Sequence, residues 1–258
     1  MHGPPDVLQM LAHPPGVKLF EGSCGRGKLT RELLTRGFEI TVSSSGEPPD
    51  FGPHVRCLPN VDLNRDLPIA DGSFDCAVLQ EVIEHLENPA HVVREFSRIL
   101  RPGGWWVLTT PNSSGAASRL HFLLTGFVKG RRRPANYARP PGIYQNLFVP
   151  PLPVLHYLLW QYGFRVKGIG RTRRRFWAFV PFVLLYPFIR VWTYRYARPL
   201  PDNDTPLQRE ACRDLRRILL SPSVLMDENL VLLLEKTPNA SAYRPESAKG
   251  SRAGGDGP

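Results

Sequence analysis

Two periods alternate along residues 17–112. Short apolar runs bounded by turn residues predict strands at Val17–Glu21, Phe38–Ser43, His54–Leu58, Phe74–Leu79 and Trp105–Thr110. Between them the spacing becomes helical. Lys28–Arg36 predicts a helix ended by Gly37. Pro89–Leu100 predicts another, with Val92, Val93, Phe96, Ile99 and Leu100 along one face and Arg101-Pro102-Gly103-Gly104 as its stop. Strands alternating with helices imply a mostly parallel sheet covered on both faces.

The second half is less regular. Ser114–Val128 reads as a helix or cover loop, followed by the basic stretch KGRRRP and a Pro/Gly stretch through Gly142. Pro153–Tyr162 predicts a helix and Phe164–Gly170 a strand. Thr205–Leu220 has Leu207, Ala211, Leu215 and Leu219 on one helical face, and Glu228–Lys236 predicts a last buried strand. From Asn239 onward a polar tail is expected to be disordered. Phe176–Ile189 stands apart, with no charge over fourteen residues. One helix of that length spans about 21 Å, short of a hydrocarbon core of about 30 Å. Pro181 and Pro187 are expected to break or kink it.

Composition narrows the classes. With 258 residues, 42% hydrophobic and 22% charged, the chain can bury a core, which excludes global disorder. The four cysteines have no CxxC pairing, which argues against a zinc ribbon or a disulfide-stapled module and suits a reducing cytosol. The first residues show neither the basic nor the long apolar region of a signal peptide, and no apolar run reaches about 20 residues. The net charge of +10 is uneven: residues 1–110 hold ten Lys/Arg against fourteen Asp/Glu, and the remainder hold twenty-three against nine. A basic second half suits an anionic partner.

Chemistry concentrates at two places. Glu21-Gly22-Ser23-Cys24-Gly25-Arg26-Gly27 follows the first strand and opens a helix, a turn whose glycines let backbone N–H groups approach a ligand. The strand Leu19-Phe20-Glu21 with this turn, then DGSFD, EVIEHL and LRPGG in that order, resembles the class I S-adenosylmethionine-dependent methyltransferases. The resemblance is close over residues 17–112 and follows only the order of elements over 150–236. It implies an α/β, Rossmann-like seven-stranded sheet whose last strand is antiparallel. It also implies a cofactor site formed by Glu21, Gly22, Ser23, Cys24, Gly25 and Gly27, with Ser43 ending strand two, Asp62-Leu63 near the adenine and Gln80 beside the methionine. Two positions depart from the family pattern. Ser23 replaces the first glycine, and Ser43 stands where an acid grips both ribose hydroxyls, which predicts a weaker site.

The second place is Glu81, Glu84 and His85, spaced i, i+3 and i+4 after the fourth strand. On one helical face they offer His85 as a general base braced by Glu84, or a ligand set for a divalent metal. The ExxEH pattern resembles that of ubiquinone-biosynthesis O-methyltransferases and small-RNA ribose methyltransferases. Those families add a downstream histidine that Gly142–Phe148 lacks; His156 is the nearest.

The domain reading is a lead-in over 1–16, a methyltransferase core over 17–171, an apolar and basic insertion over 172–227, the last core strand over 228–237 and a tail over 238–258. Arg171, Arg173, Arg174 and Arg175 precede the apolar segment, and Arg190, Arg195 and Arg198 follow it among tryptophans and tyrosines. That arrangement predicts an element lying on an anionic membrane. The alternatives are a core or oligomeric contact, or nucleic acid. The expected function is O-methylation of a lipophilic or lipid-linked small molecule by a cytoplasmic protein peripheral on the inner face of the cell membrane. An RNA methyltransferase and a non-catalytic scaffold are the rivals.

Overall fold

The structure is a computed structural model that describes residues 5–11, 16–127, 148–174 and 178–238. The basic stretch through Arg133, the Pro/Gly stretch, Trp177 and the tail lie outside the described residues. The elements are α1 (Pro5–Met10), β1 (Lys18–Gly22), α2 (Lys28–Leu34), β2 (Glu39–Ser43), β3 (Val55–Leu58), β4 (Phe74–Gln80), α3 (Pro89–Ile99), β5 (Leu100–Pro111) and α4 (Ala116–Thr125). They continue with α5 (Leu152–Gln161), β6 (Phe164–Ile169), α6 (Phe179–Tyr196), α7 (Pro206–Leu219), α8 (Pro222–Met226) and β7 (Asn229–Lys236).

Seven strands form one sheet in the order β3-β2-β1-β4-β5-β7-β6. β1 through β5 pair in parallel, and β7 runs antiparallel between β5 and β6. The expected architecture is therefore the observed one. β1 and β4 are buried on both faces, as parallel strands between two helix layers must be, and so they read as apolar runs rather than alternating ones. On one face Phe20, Phe96, Trp106 and Phe164 form an aromatic row with centroid separations of 5.6, 4.6 and 5.1 Å. α3 supplies Phe96 to it and begins cleanly, with the Asn88 side chain accepting from the His91 N–H at 3.1 Å and Pro89 in the first turn. The other face is covered by α2 and α1, which buries Val7 and Leu11. The lead-in thus contains a helix that packs on the core, which its proline-rich sequence does not announce.

Two local expectations are corrected. α3 ends at Ile99, before Arg101-Pro102-Gly103-Gly104 as expected, but the fifth strand begins at Leu100 rather than Trp105 and takes these four residues into β5. Gly104 has no room for a side chain there, because a Cβ would lie 2.9 Å from the Arg101 carbonyl oxygen and 3.0 Å from that of Asp75. The second correction concerns the apolar segment, which forms one helix of 18 residues. Pro181 falls in its first turn, where an N–H has no intrahelical acceptor. Pro187 removes a donor in the interior without ending the helix.

α6, α7 and α8 lie between β6 and β7. Their base is tied down at the buried Asp227 carboxylate, which accepts from Arg174 Nε at 2.6 Å and from the Thr172 N–H at 2.9 Å. α7 is held to α5 by Asp214, which meets His156 Nε2 at 3.1 Å and accepts from Trp160 Nε1 at 3.4 Å. α6 rests on α4, α7 and α8. Among the described residues, no helix is long and apolar enough to cross a membrane.

Candidate active site

Parallel strands end together at one edge of the sheet, and ligands bind at that edge in open α/β folds. Glu21 lies at the end of β1 and is buried. Burial raises its carboxyl to about 7, an effect partly offset by a 2.7 Å hydrogen bond from Thr30 Oγ1. The turn that follows is drawn onto β2. Ser23 N–H donates to Ser43 Oγ at 3.0 Å, and Cys24 N–H donates to the Ser43 carbonyl at 2.9 Å. Ser43 therefore shapes the turn in addition to standing at the strand-two position.

The three residues that need a left-handed backbone here are Ser23 (φ 63), Gly25 (φ 54) and Gly27 (φ 72). For a serine that conformation costs about 1–2 kcal/mol, which explains the family's glycine at position 23. Gly27 is also a packing requirement, because a Cβ would come within 2.2 Å of the Phe51 ring. Gly22 likewise lies against Leu79 and Phe96. Gly25 is different. It is exposed, and a Cβ would meet nothing within 4 Å, so open space lies beside its backbone.

Asp62 is exposed, and its Oδ1 accepts from Asn64 N–H at 2.9 Å and Asn64 Nδ2 at 3.0 Å. Leu63 turns its side chain into the core, so only its backbone remains for a ligand. Gln80 ends β4, half-buried, in register with Thr109.

Glu81, Glu84 and His85 do not share one α-helical face, as their spacing predicted. Glu81 precedes the helical residues, with φ 53, and Ile83–His85 is a single 3₁₀ turn. Glu81 N–H bonds both the carbonyl and Oγ1 of Thr109, each at 3.1 Å, and Thr109 Oγ1 donates back to Glu81 Oε1 at 3.0 Å. Thr110 Oγ1 donates to Glu84 Oε2 at 3.2 Å. Burial raises both carboxyls to about 7, and for Glu81 the neighbouring Glu84 adds to the rise while the Thr109 bond and His85 oppose it. Thr30, Thr109 and Thr110 were not singled out from the sequence. The only signal was two polar residues closing an otherwise apolar strand.

The metal expectation fares poorly on geometry. Among the described residues, the only His/Cys/Asp/Glu triple with ligand atoms all within 4.8 Å is Asp66, His91 and Glu95, not Glu81, Glu84 and His85. Arginine already neutralises that triple. Arg98 holds the Glu95 carboxylate at 2.7 Å, and Arg94 sits 2.7 Å from His91 Nδ1 and 3.8 Å from Asp66. Glu81, Glu84 and His85 are thus not gathered as a ligand set, and the gathered triple is already bonded to arginine. A polar cavity of about 460 Å³ near Lys18, Glu39, His54 and Arg56 lies where the strands begin, at the edge opposite the carboxylates.

S-adenosylmethionine fits the carboxyl edge better. The turn is open to solvent at Gly25, and carboxyls whose ionised forms are penalised by burial suit a ligand carrying an ammonium and a sulfonium.

Comparison with known proteins agrees with this fit. The family described as "Methyltransferase domain" matches residues 4–167. A ubiquinone biosynthesis O-methyltransferase of Chromobacterium violaceum is 28% identical over 155 residues, covering 52% of this chain and 64% of its own length. The chain spans less than two thirds of the length of the curated relatives compared here. A solved S-adenosylmethionine-dependent methyltransferase of Mesorhizobium loti superposes with a TM-score of 0.50 at 17% identity, covering 90% of this chain and 96% of its own. The cyclase SpnF superposes equally well, with a TM-score of 0.51 at 17% identity over 90% of this chain and 78% of its own. Such likeness establishes the fold alone. From the family match over more than half of its length, together with the strand order and the glycine turn, the chain belongs to the class I S-adenosylmethionine-dependent methyltransferases.

Proposed function

We propose that the protein methylates an oxygen of a lipophilic or lipid-linked small molecule. The observation that carries this reading is the carboxyl edge, where open space at Gly25 lies beside three buried or half-buried carboxyls raised to about 7. S-adenosylmethionine, when bound, supplies the transferable methyl on a sulfonium. Backbone groups of Gly25 and Gly27 would line its nucleoside side, Ser43 and Asp62 would serve the ribose and adenine, and Glu21 with Gln80 would hold the methionine end. Transfer to oxygen would break the sulfur–methyl bond and form an oxygen–methyl bond, and the acceptor hydroxyl would have to give up its proton. His85, one residue after the buried Glu84 in the same 3₁₀ turn, would receive that proton. The rest of the rate comes from in-line alignment of acceptor and methyl. The acceptor class rests on two supports: relatives named for O-methylation in ubiquinone biosynthesis, and the exposed apolar end of α4, a helix that starts at this edge.

Calorimetric titration with S-adenosylhomocysteine tests the reading, with Gly25→Arg as the control. The larger side chain enters open space rather than core, so the fold should hold while the ligand is excluded. Micromolar binding lost in the variant is the expected result. A folded wild-type protein that binds nothing would return the chain to a non-catalytic scaffold.

A further inference from the structure

The molecule's exposed apolar surface is concentrated on two helices that pack together, α4 and α6. Of the 18 residues of α6, only Pro181, Ile189 and Thr193 are buried. Its inner side meets Ala116 of α4 and Leu225 of α8 through Ile189 and Phe182. Its outer side presents Val180, Val183, Leu184, Phe188 and Val191, with Leu184, Phe188 and Val191 each 64–65% exposed. α4 adds Leu123 and Leu124, 78% and 73% exposed. An apolar surface of this kind marks a binding face.

Charge identifies the occupant. Between Gly163 and Asp202 the chain has no carboxylate, and α4 has none either. Arg190 and Arg195 are exposed on α6 itself, within 5.9 Å of the Tyr194 and Trp192 rings. A second copy docked face to face would set these arginines against each other with no acid on either α4 or α6 to neutralise them. An anionic lipid surface meets both demands, since its headgroups pair with guanidinium and its acyl boundary receives the valines and leucines. A helix of this length can lie along such a surface, and among the described residues none is long and apolar enough to cross it.

We infer that α6, with the exposed end of α4, beds the protein in the interface of an anionic bilayer. α4 starts at the sheet edge that holds Glu81 and Glu84. The exposed end of α4 lies about 10 Å along the helix from that edge. This inference stands on surface chemistry and is tested without cofactor, so its failure leaves the methyl-transfer reading intact.

The experiment is co-sedimentation of the full chain with vesicles of phosphatidylcholine alone or with roughly a third phosphatidylglycerol. Wild type is expected to pellet with the anionic vesicles and largely to remain soluble with the neutral ones. Leu184→Ser with Phe188→Ser, and separately Arg190→Gln with Arg195→Gln, should each lower partition about tenfold with unchanged thermal melting. Brominated lipid should quench a component of the fluorescence that Trp192→Phe removes. Wild type that stays in solution overturns the inference, as does a double-serine variant that pellets like wild type. A dimer that Leu184→Ser dissociates would assign the face to a second copy instead. Pelleting that single-stranded RNA abolishes while the serine variants leave it unchanged would assign the charge to nucleic acid.

Discussion

α3 and α6 show opposite fates for apolar residues. α3 mixes His91, Arg94, Glu95 and Arg98 with Val92, Val93, Phe96 and Ile99, and seven of its 11 residues are buried against the sheet. α6 is more uniformly apolar, yet three of its 18 residues are buried. Apolarity alone does not place a helix inside. α3 has one stripe and a sheet face to receive it, whereas α6 is apolar nearly all round and has partners on one side only. The contrast predicts unequal mutational costs. Phe96 touches Phe20 and Trp106 in the aromatic row and closes over Gly22, so Phe96→Ala leaves a cavity and should cost about 3–5 kcal/mol. Leu184→Ala, on the outer side of α6, should stay within about 0.5 kcal/mol. Urea unfolding of both variants measures the difference. Comparable losses would mean that α6 is covered in solution.

A second contrast lies within the core. Away from the carboxyl edge the buried carboxylates Glu95 and Asp227 are paired with Arg98 and Arg174, while the edge retains Glu21, Glu81 and Glu84, each raised from 4.5 to about 7 chiefly by burial. A folded-state pKa above the unfolded one means that the native protein holds more protons between about pH 4.5 and 7. Stability from these groups is therefore present at low pH and declines as pH rises through that window. A cationic ligand reverses the balance by favouring the ionised forms. S-adenosylmethionine affinity should rise roughly tenfold from pH 5 to pH 7 and level off above it. Glu81→Gln should flatten part of the rise. Titration calorimetry across that range checks the sign, and an affinity that falls with pH would place the ligand's positive groups elsewhere.

The sheet, the glycine turn and the helix α3 were legible because each is encoded locally, by period, by glycine at a strand–helix junction, or by a cap. What was not legible depends on partners far along the chain. Thr109 and Thr110 hold carboxylates 28 and 26 residues away, and the Arg174–Asp227 tie spans 53. Spacing misled at Glu81, because i, i+3, i+4 specifies a face only if the backbone is already helical there, and Glu81 is not. It misled again at α6, where proline counted as a breaker although Pro181 occupies a first turn that tolerates it. The site residues taken from the resemblance converge at the carboxyl edge. Asp62 and Leu63 show the limit of reading roles by position, since one side chain caps its own turn and the other is core.

The smallest effect concerns the turn itself, and it separates two explanations of Ser23. Its φ of 63 lies in the left-handed region, as at Gly25 and Gly27, and its N–H is anchored on Ser43 Oγ. Ser23→Gly keeps that backbone bond and removes strain of about 1–2 kcal/mol. It also gives the unfolded chain more freedom, which takes back about 0.5–1 kcal/mol. The net gain should be about 0.5 kcal/mol, which corresponds to a rise in melting temperature of roughly 1–2 °C for a chain of this size. A fall in melting temperature would show that the serine side chain makes contacts worth more than the strain. Ser23 would then be a built part of this protein's turn rather than a tolerated departure from glycine.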